Sequence, residues 1–214
     1  MQSCLIRKSS SKRLYVVFLG WGMDENPILP LIKDENVLML FNCKDLSVDF
    51  DFSGYDEFYE IAFSYGVMEA ALLQDKLPPM KQRVAINGTL CMRDQQRGLP
   101  DEARQAIKSL SLDNYLDFRK KWLVANQDEY DKFNAHAPLR TIEDCMEELY
   151  FLETLEKQAI PELHFHKVYI SRQDKLIPMA HQLAAWKGQN IQMIDGNHFA
   201  LYGFTQVADM FDEA

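Results

Sequence analysis

No apolar run in the sequence approaches the roughly 18 residues of a membrane span. The amino terminus lacks the long apolar stretch of a signal peptide, so the expected location is cytoplasmic. Cysteine is scarce: Cys4, Cys43, Cys91 and Cys145 lie far apart without a C-x-x-C pair. They read as reduced thiols and exclude a disulfide framework or a cysteine zinc site. Basic charge is also short, with 23 Lys and Arg against 32 Asp and Glu and a formal net charge of -9. That balance argues against a nucleic-acid binder, because phosphate contacts need clustered Lys and Arg. Internal repeats and low-complexity segments are absent. What is there is a chain of 214 residues, 47% hydrophobic and 12% aromatic. This suffices for one globular domain with a real core and an insertion.

Short apolar runs alternate with helical or loop segments over the first 90 residues, which predicts a mostly parallel α/β sheet. Strands are expected at Ser3 to Ile6, Leu14 to Leu19, Val37 to Asn42, Tyr59 to Phe63 and Arg83 to Asn87. The first two are expected to pair as an antiparallel edge hairpin. A short helix is expected from Asn26-Pro27 to Lys33. Strand signals then vanish from about Met92 to Lys157. Helices are predicted at Asp101 to Leu110, Leu112 to Asn126 and Thr141 to Lys157, the last with Thr141 as cap and Asp144 closing a capping box. Alternation returns with strands at Phe165 to Ile170 and Asn190 to Ile194, a helix at Pro178 to Trp186 and a closing helix at Tyr202 to Phe211. The expected organisation is a core of residues 1–94 and 159–214 interrupted by a helical cap of 95–158.

The chemistry centres on Ala62-Phe63-Ser64-Tyr65-Gly66, where a strand runs into helix formers. Small-x-Ser-x-Gly at such a corner is the spelling of a nucleophile elbow. By itself it also reads as a buried strand running into a helix, with the serine at the helix start as cap. Its partners come in the order serine, acid, histidine that this architecture uses. Asp174 follows the strand ending at Ile170, and His198 follows the last strand. A serine is a weak nucleophile until a histidine takes its proton, and the carboxylate sets the tautomer of that histidine. Asp174 also reads as a cap for the helix at Pro178, and Asp195, three residues before His198, is a rival acid. Gly20-Trp21-Gly22 directly after a buried strand marks a tight loop. The Trp21 amide, with that of Tyr65, is the candidate pair of oxyanion donors, the alternative being an ordinary strand-to-helix turn. His164 and His166 alternate on one strand as a two-histidine pair, but no third ligand is evident, so neither metal nor cofactor is expected.

Phe18-Leu19-Gly20-Trp21-Gly22-Met23-Asp24, Phe63-Ser64-Tyr65-Gly66-Val67, Asn87-Gly88-Thr89, Ser171-Arg172-Gln173-Asp174-Lys175 and Gly196-Asn197-His198-Phe199 resemble the BioG-type pimeloyl-acyl-carrier-protein methyl ester esterases. The resemblance runs through the whole chain. It implies the α/β-hydrolase fold, a place in biotin synthesis, and cleavage of the pimeloyl-carrier methyl ester to a carboxylate and methanol. It also implies Ser64 as nucleophile, His198 as base and Asp174 as acid. The family elbow is usually Trp-Ser-Met-Gly, so Tyr65 is a departure whose bulk bears on the acyl pocket. The same residues would also serve a general short-acyl esterase or thioesterase. A non-catalytic binding module of the same fold is the rival of another class. The implied partner is an acyl carrier protein, itself acidic. The front of the cap is locally basic, and Arg119, Lys120 and Lys121 are the candidate docking residues, the alternative being a solvated helix surface.

Overall fold

A computed structural model describes residues 1–212. Among these, seven strands form one sheet in the order β1-β3-β2-β4-β5-β6-β7. They are β1 (Gln2–Arg7), β2 (Arg13–Phe18), β3 (Asn36–Phe41), β4 (Glu57–Phe63), β5 (Gln82–Ile86), β6 (Lys167–Ser171) and β7 (Ile191–Ile194). All neighbours are parallel except β1, which runs antiparallel to β3. The expected β1–β2 hairpin is therefore corrected: β3 lies between them, with Gln2 opposite Phe41 and Arg7 opposite Asn36. The burial explains it. The run β2 is apolar on both faces and needs a neighbour on each side, whereas β1 is largely exposed and suits an edge. Asn36 pins the arrangement by donating to the Ser11 and Arg13 carbonyls and accepting from the Ser9 amide.

Alternate residues of β2 feed two cores. Leu14, Val16 and Phe18 join Leu38, Ala62, Ala85 and Val168 on one face, against Val67, Ala70 and Ala71 of α1 (Gly66–Leu73). Tyr15 and Val17 join Met39, Tyr59, Ile61, Phe63 and Tyr169 on the other. The sheet is thus sandwiched, which is the burial parallel strands require. Among the described residues no helix is long and apolar enough to cross a membrane.

Between β5 and β6 the regular elements are helical: α2 (Asp101–Lys108), α3 (Tyr115–Phe118), α4 (Gln127–Ala135) and α5 (Ile142–Leu155). The predicted helix of 112–126 is only partly formed. After α3 the chain widens into a π turn over Arg119–Leu123 and becomes extended at Val124. Helix α4 went unforeseen because Phe133 is its one fully buried residue, so it has no apolar stripe; Asn126 caps it by accepting from the Glu129 amide. Helix α5 forms as expected, with Thr141 accepting from the Asp144 amide. The Asp144 carboxylate does not close the box and instead pairs with Arg140 and Lys44. Helix α6 (Met179–Ala185) follows β6. The short helix expected at 26–33 is a single 3-10 turn, Leu29–Leu31, where Pro30 lacks the amide to continue. The closing helix of 202–211 is two 3-10 turns, Leu201–Gly203 and Val207–Met210, separated by extended residues.

Candidate active site

Ser64 stands between the last residue of β4 and the first of α1 with φ of +56°, in the left-handed region that costs a non-glycine residue about 1 kcal/mol or more. Its amide is held by the Ile86 carbonyl at 3.0 Å, and its carbonyl accepts from Val67. The corner closes only because Gly66 has no side chain: a Cβ there would lie 2.5 Å from the Phe18 carbonyl oxygen. Gly20 answers it from the neighbouring strand end. Its φ is +72°, and a Cβ would lie 2.6 Å from the Phe63 oxygen. The Gly20-Trp21-Gly22 loop is thereby seated directly against the elbow. Among the described residues neither the Trp21 nor the Tyr65 amide donates to another protein group.

The two loops beyond β6 and β7 bring their residues to the same edge. His198 is 2% exposed and packs on the Phe63 ring, centroids 5.1 Å apart. Its Nε2 lies 2.9 Å from Ser64 Oγ, and its Nδ1 lies 3.0 Å from Asp174 Oδ2. A carboxylate only accepts, so Nδ1 carries the proton and Nε2 is left to receive that of the serine. Both oxygens of Asp174 are engaged. Oδ1 accepts from the Leu176 and Ile177 amides, and Oδ2 accepts also from Gln182 Nε2. Asp174 thus holds its own turn through one oxygen and faces His198 Nδ1 through the other. Asp195 stands apart: its side chain is 98% exposed and lies 3.5 Å from Arg172. Such a relay can transfer an acyl group through a serine ester.

Three residues that hold this geometry were not assigned roles from the sequence. Asn87, at φ +47°, donates to Ser171 Oγ and to the His198 carbonyl and accepts from the Ser171 amide. Asn197 accepts from the Lys175 and His198 amides and donates to the Val124 carbonyl, tying both loops to the helical insertion. Gln182 steadies the acid. The signal for Asn87 and Asn197 was their place directly after or near strand ends; for Gln182 none existed beyond its position on a helix.

Ser64 and His198 open on a cavity whose walls are apolar, among them Met23, Phe63, Leu99, Ile107, Phe118 and Leu123. The Tyr65 ring is fully buried, and its hydroxyl donates to Glu156 Oε1 at 2.7 Å. Burial beside Glu156 pushes that phenol well above its usual pKa. Of the three candidate docking residues, Arg119 is corrected. It is 6% exposed, stacked on the Tyr115 ring and bonded to Asn134, so it faces inward. Lys120 and Lys121 remain exposed, over the Tyr130 and Trp122 rings respectively. Arg104, on α2, is ion-paired with Glu156 at 3.0 Å. His164 and His166 sit at the opposite end of the sheet, where His166 Nδ1 already accepts from the Arg83 amide at 3.1 Å.

Residues 1–210 match the family described as pimeloyl-ACP methyl esterase BioG. The chain belongs to the BioG family. A BioG crystal structure from Haemophilus influenzae superposes with a TM-score of 0.89 at 23% identity, covering 99% of this chain and 100% of that one. A lipase-esterase related protein from Clostridium acetobutylicum superposes at 0.62 with 13% identity over 94% of this chain and 93% of that one. Together they show the fold to be that of α/β hydrolases. In sequence, a malonyl-[acyl-carrier protein] O-methyltransferase from Bacteroides fragilis is 32% identical over 197 residues. The match takes in 88% of this chain and 40% of that protein, so the chain spans well under half the length of this relative. The family supports a hydrolase of esterase type.

Proposed function

We propose that this BioG-family chain is a serine carboxylester hydrolase that removes the methyl ester from pimeloyl-[acyl-carrier protein], in biotin synthesis. The observation that carries the reading is the relay from Ser64 Oγ through His198 to Asp174, set in the wall of an apolar cavity. His198 Nε2 takes the proton as Ser64 attacks the ester carbonyl. The carbonyl oxygen becomes an anion facing the Trp21 and Tyr65 amides, and losing one such donor costs roughly 3 kcal/mol in transition-state stabilisation. The imidazolium, stabilised by Asp174, returns its proton to the leaving methoxide, and methanol departs. Water, deprotonated by the same nitrogen, then releases the carboxylate and frees Ser64. Apolar walls suit the methylene chain of a pimeloyl group, since burying it releases water from hydrocarbon.

The Bacteroides relative bears on the substrate. It is named for placing a methyl group on a carrier-bound acid, and a stretch like this chain makes up 40% of it. Removing a methyl ester from a carrier-bound acid is the complementary chemistry. With Arg119 turned inward, attraction of an acidic carrier falls to Lys120 and Lys121. The test is hydrolysis of carrier-linked pimeloyl methyl ester by native protein and Ser64→Ala, followed by intact-carrier mass. The expected outcome is loss of one methylene equivalent in mass with native protein only. Equal or better turnover of free short esters and thioesters would instead favour a general esterase.

A further inference from the structure

The long helix α5 touches both sides of the candidate site. Cys145, Glu148, Leu152 and Glu156 follow one another at three- and four-residue intervals, so they share one face of α5 and its C-terminal cap. Three of the four touch the loop or corner bearing an oxyanion donor. At one end, Trp21 Nε1 donates to the Cys145 carbonyl at 2.6 Å and the Gly22 amide donates to Glu148 Oε2 at 2.9 Å. At the other, the Tyr65 hydroxyl donates to Glu156 at 2.7 Å, and Arg104 holds the remaining oxygen of that carboxylate. Residues 145 and 156 are about 16 Å apart along a helix rising 1.5 Å per residue. One rigid element therefore reaches both donors, which come from two different strand ends.

We propose that α5 is a strut that fixes the spacing of the Trp21 and Tyr65 amides, with Glu148 and Glu156 as positioning residues for the oxyanion site. The inference rests on the serine-hydrolase reading above. The strut is anchored independently of the site. Glu148 is fully buried, accepts also from the Cys43 amide at 2.6 Å and pairs with Arg140 at 2.6 Å. Arg140 in turn donates to the Met23 carbonyl, and the Leu139 amide donates to Asp24. The loop from Trp21 to Asp24 is thus gripped at every residue. Nearby Glu69 is buried with no hydrogen-bond partner among the described residues, and burial pushes its carboxyl well above the ordinary range. An oxyanion donor works only when held where the charge will form, and displacement by about 1 Å can cost a hundredfold in rate.

Two variants remove one strut contact each and leave the buried charges intact: Trp21→Phe deletes the indole donor to Cys145, and Tyr65→Phe deletes the hydroxyl donor to Glu156. The assay is steady-state hydrolysis of p-nitrophenyl acetate, together with affinity for a phenylboronic acid, which becomes tetrahedral on Ser64. Each variant is expected to lower kcat about tenfold with KM within about twofold, and to weaken boronate binding by a like factor. Tyr150→Phe, on the exposed face of α5, is expected to change neither. Folded Trp21→Phe and Tyr65→Phe proteins with native kcat, or with losses confined to KM, would overturn the strut. Glu148→Gln and Glu156→Gln extend the test, and a fall in melting temperature alone would mark them as merely structural and count against it. Ser64→Ala separates the two failures. Activity surviving in Ser64→Ala overturns the hydrolase reading and the strut with it; activity lost there but unchanged in the two strut variants overturns the strut alone.

Discussion

Replacing Asp174 with asparagine inverts the histidine instead of merely weakening it. In the native site Oδ1 faces two amide donors, from Leu176 and Ile177, and Oδ2 faces one side-chain donor, Gln182, together with His198 Nδ1. The side-chain amide of the Asp174→Asn variant must place its NH2 on one side. Against the two backbone amides it would set donor against donor twice; on the Oδ2 side the conflict is with Gln182 alone. The NH2 therefore turns toward His198 and donates to Nδ1, which must give up its hydrogen. The proton moves to Nε2, where it points at Ser64 Oγ, 2.9 Å away, and the base is lost. A tautomer error of this kind costs about 10⁴ in kcat in serine hydrolases, or about 5 kcal/mol at 1.36 kcal/mol per tenfold. Asp174→Asn is assayed by kcat on p-nitrophenyl acetate, with KM expected to hold because the cavity is untouched. The control is Asp195→Asn, whose exposed carboxylate faces Arg172, and native kcat is expected. A folded Asp174→Asn protein within tenfold of native kcat would refute the tautomer argument.

Other substitutions probe the scaffold. Gly66→Ala forces a methyl to within 2.5 Å of the Phe18 carbonyl, and overpacking of this kind is expected to cost about 1–3 kcal/mol in denaturant unfolding with a parallel loss of activity. Asn87→Ala strands the Ser171 amide and the His198 carbonyl, and removes a residue tolerant of positive φ; a loss of about 3 kcal/mol is expected by thermal unfolding. Glu60 is wholly buried on β4, with Arg83 Nε 3.4 Å away and no aligned hydrogen bond. Burial pushes its carboxyl from the ordinary 4.5 up to about 7. The folded state then holds a proton that the unfolded chain releases, so stability falls as pH rises from 4.5 toward 7. The difference is on the order of 3 kcal/mol at about 1.4 kcal/mol per unit. Glu60→Gln is expected to flatten the pH dependence of the melting temperature over that window.

The parts of the fold set by local pattern were legible. The continuous apolar runs at Leu14 to Leu19 and Val37 to Asn42 mark strands covered on both faces, and both form with fully buried residues. The corner at Ser64, and the loops that follow β6 and β7, were readable because hydrolase chemistry needs its residues at strand ends. Sequence order misled where pairing is long-range: two apolar runs joined by a short turn suggest a hairpin, but β3, further along the chain, takes the place between them. Helical spacing misled between Leu112 and Asn126, because periodicity cannot reveal the π turn that puts Arg119 against Tyr115 and Phe133. The roles of Asn87 and Asn197 could not be read because their partners lie far along the chain, whereas Gln182 acts locally, on Asp174 and Ile177, from a helix position that carries no distinguishing pattern. Nor does sequence mark the α5 carboxylates that meet the site: Glu148 accepts from the Gly22 amide and Glu156 from the Tyr65 hydroxyl, both across wide separations along the chain.

Covalent labelling by a fluorophosphonate, mapped by peptide mass, tests directly whether Ser64 is the nucleophile. One phosphonyl group per chain is expected, on Ser64, with labelling abolished in Ser64→Ala and slowed sharply in His198→Ala. Labelling at another residue, labelling that persists in Ser64→Ala, or a native protein that does not react would contradict it.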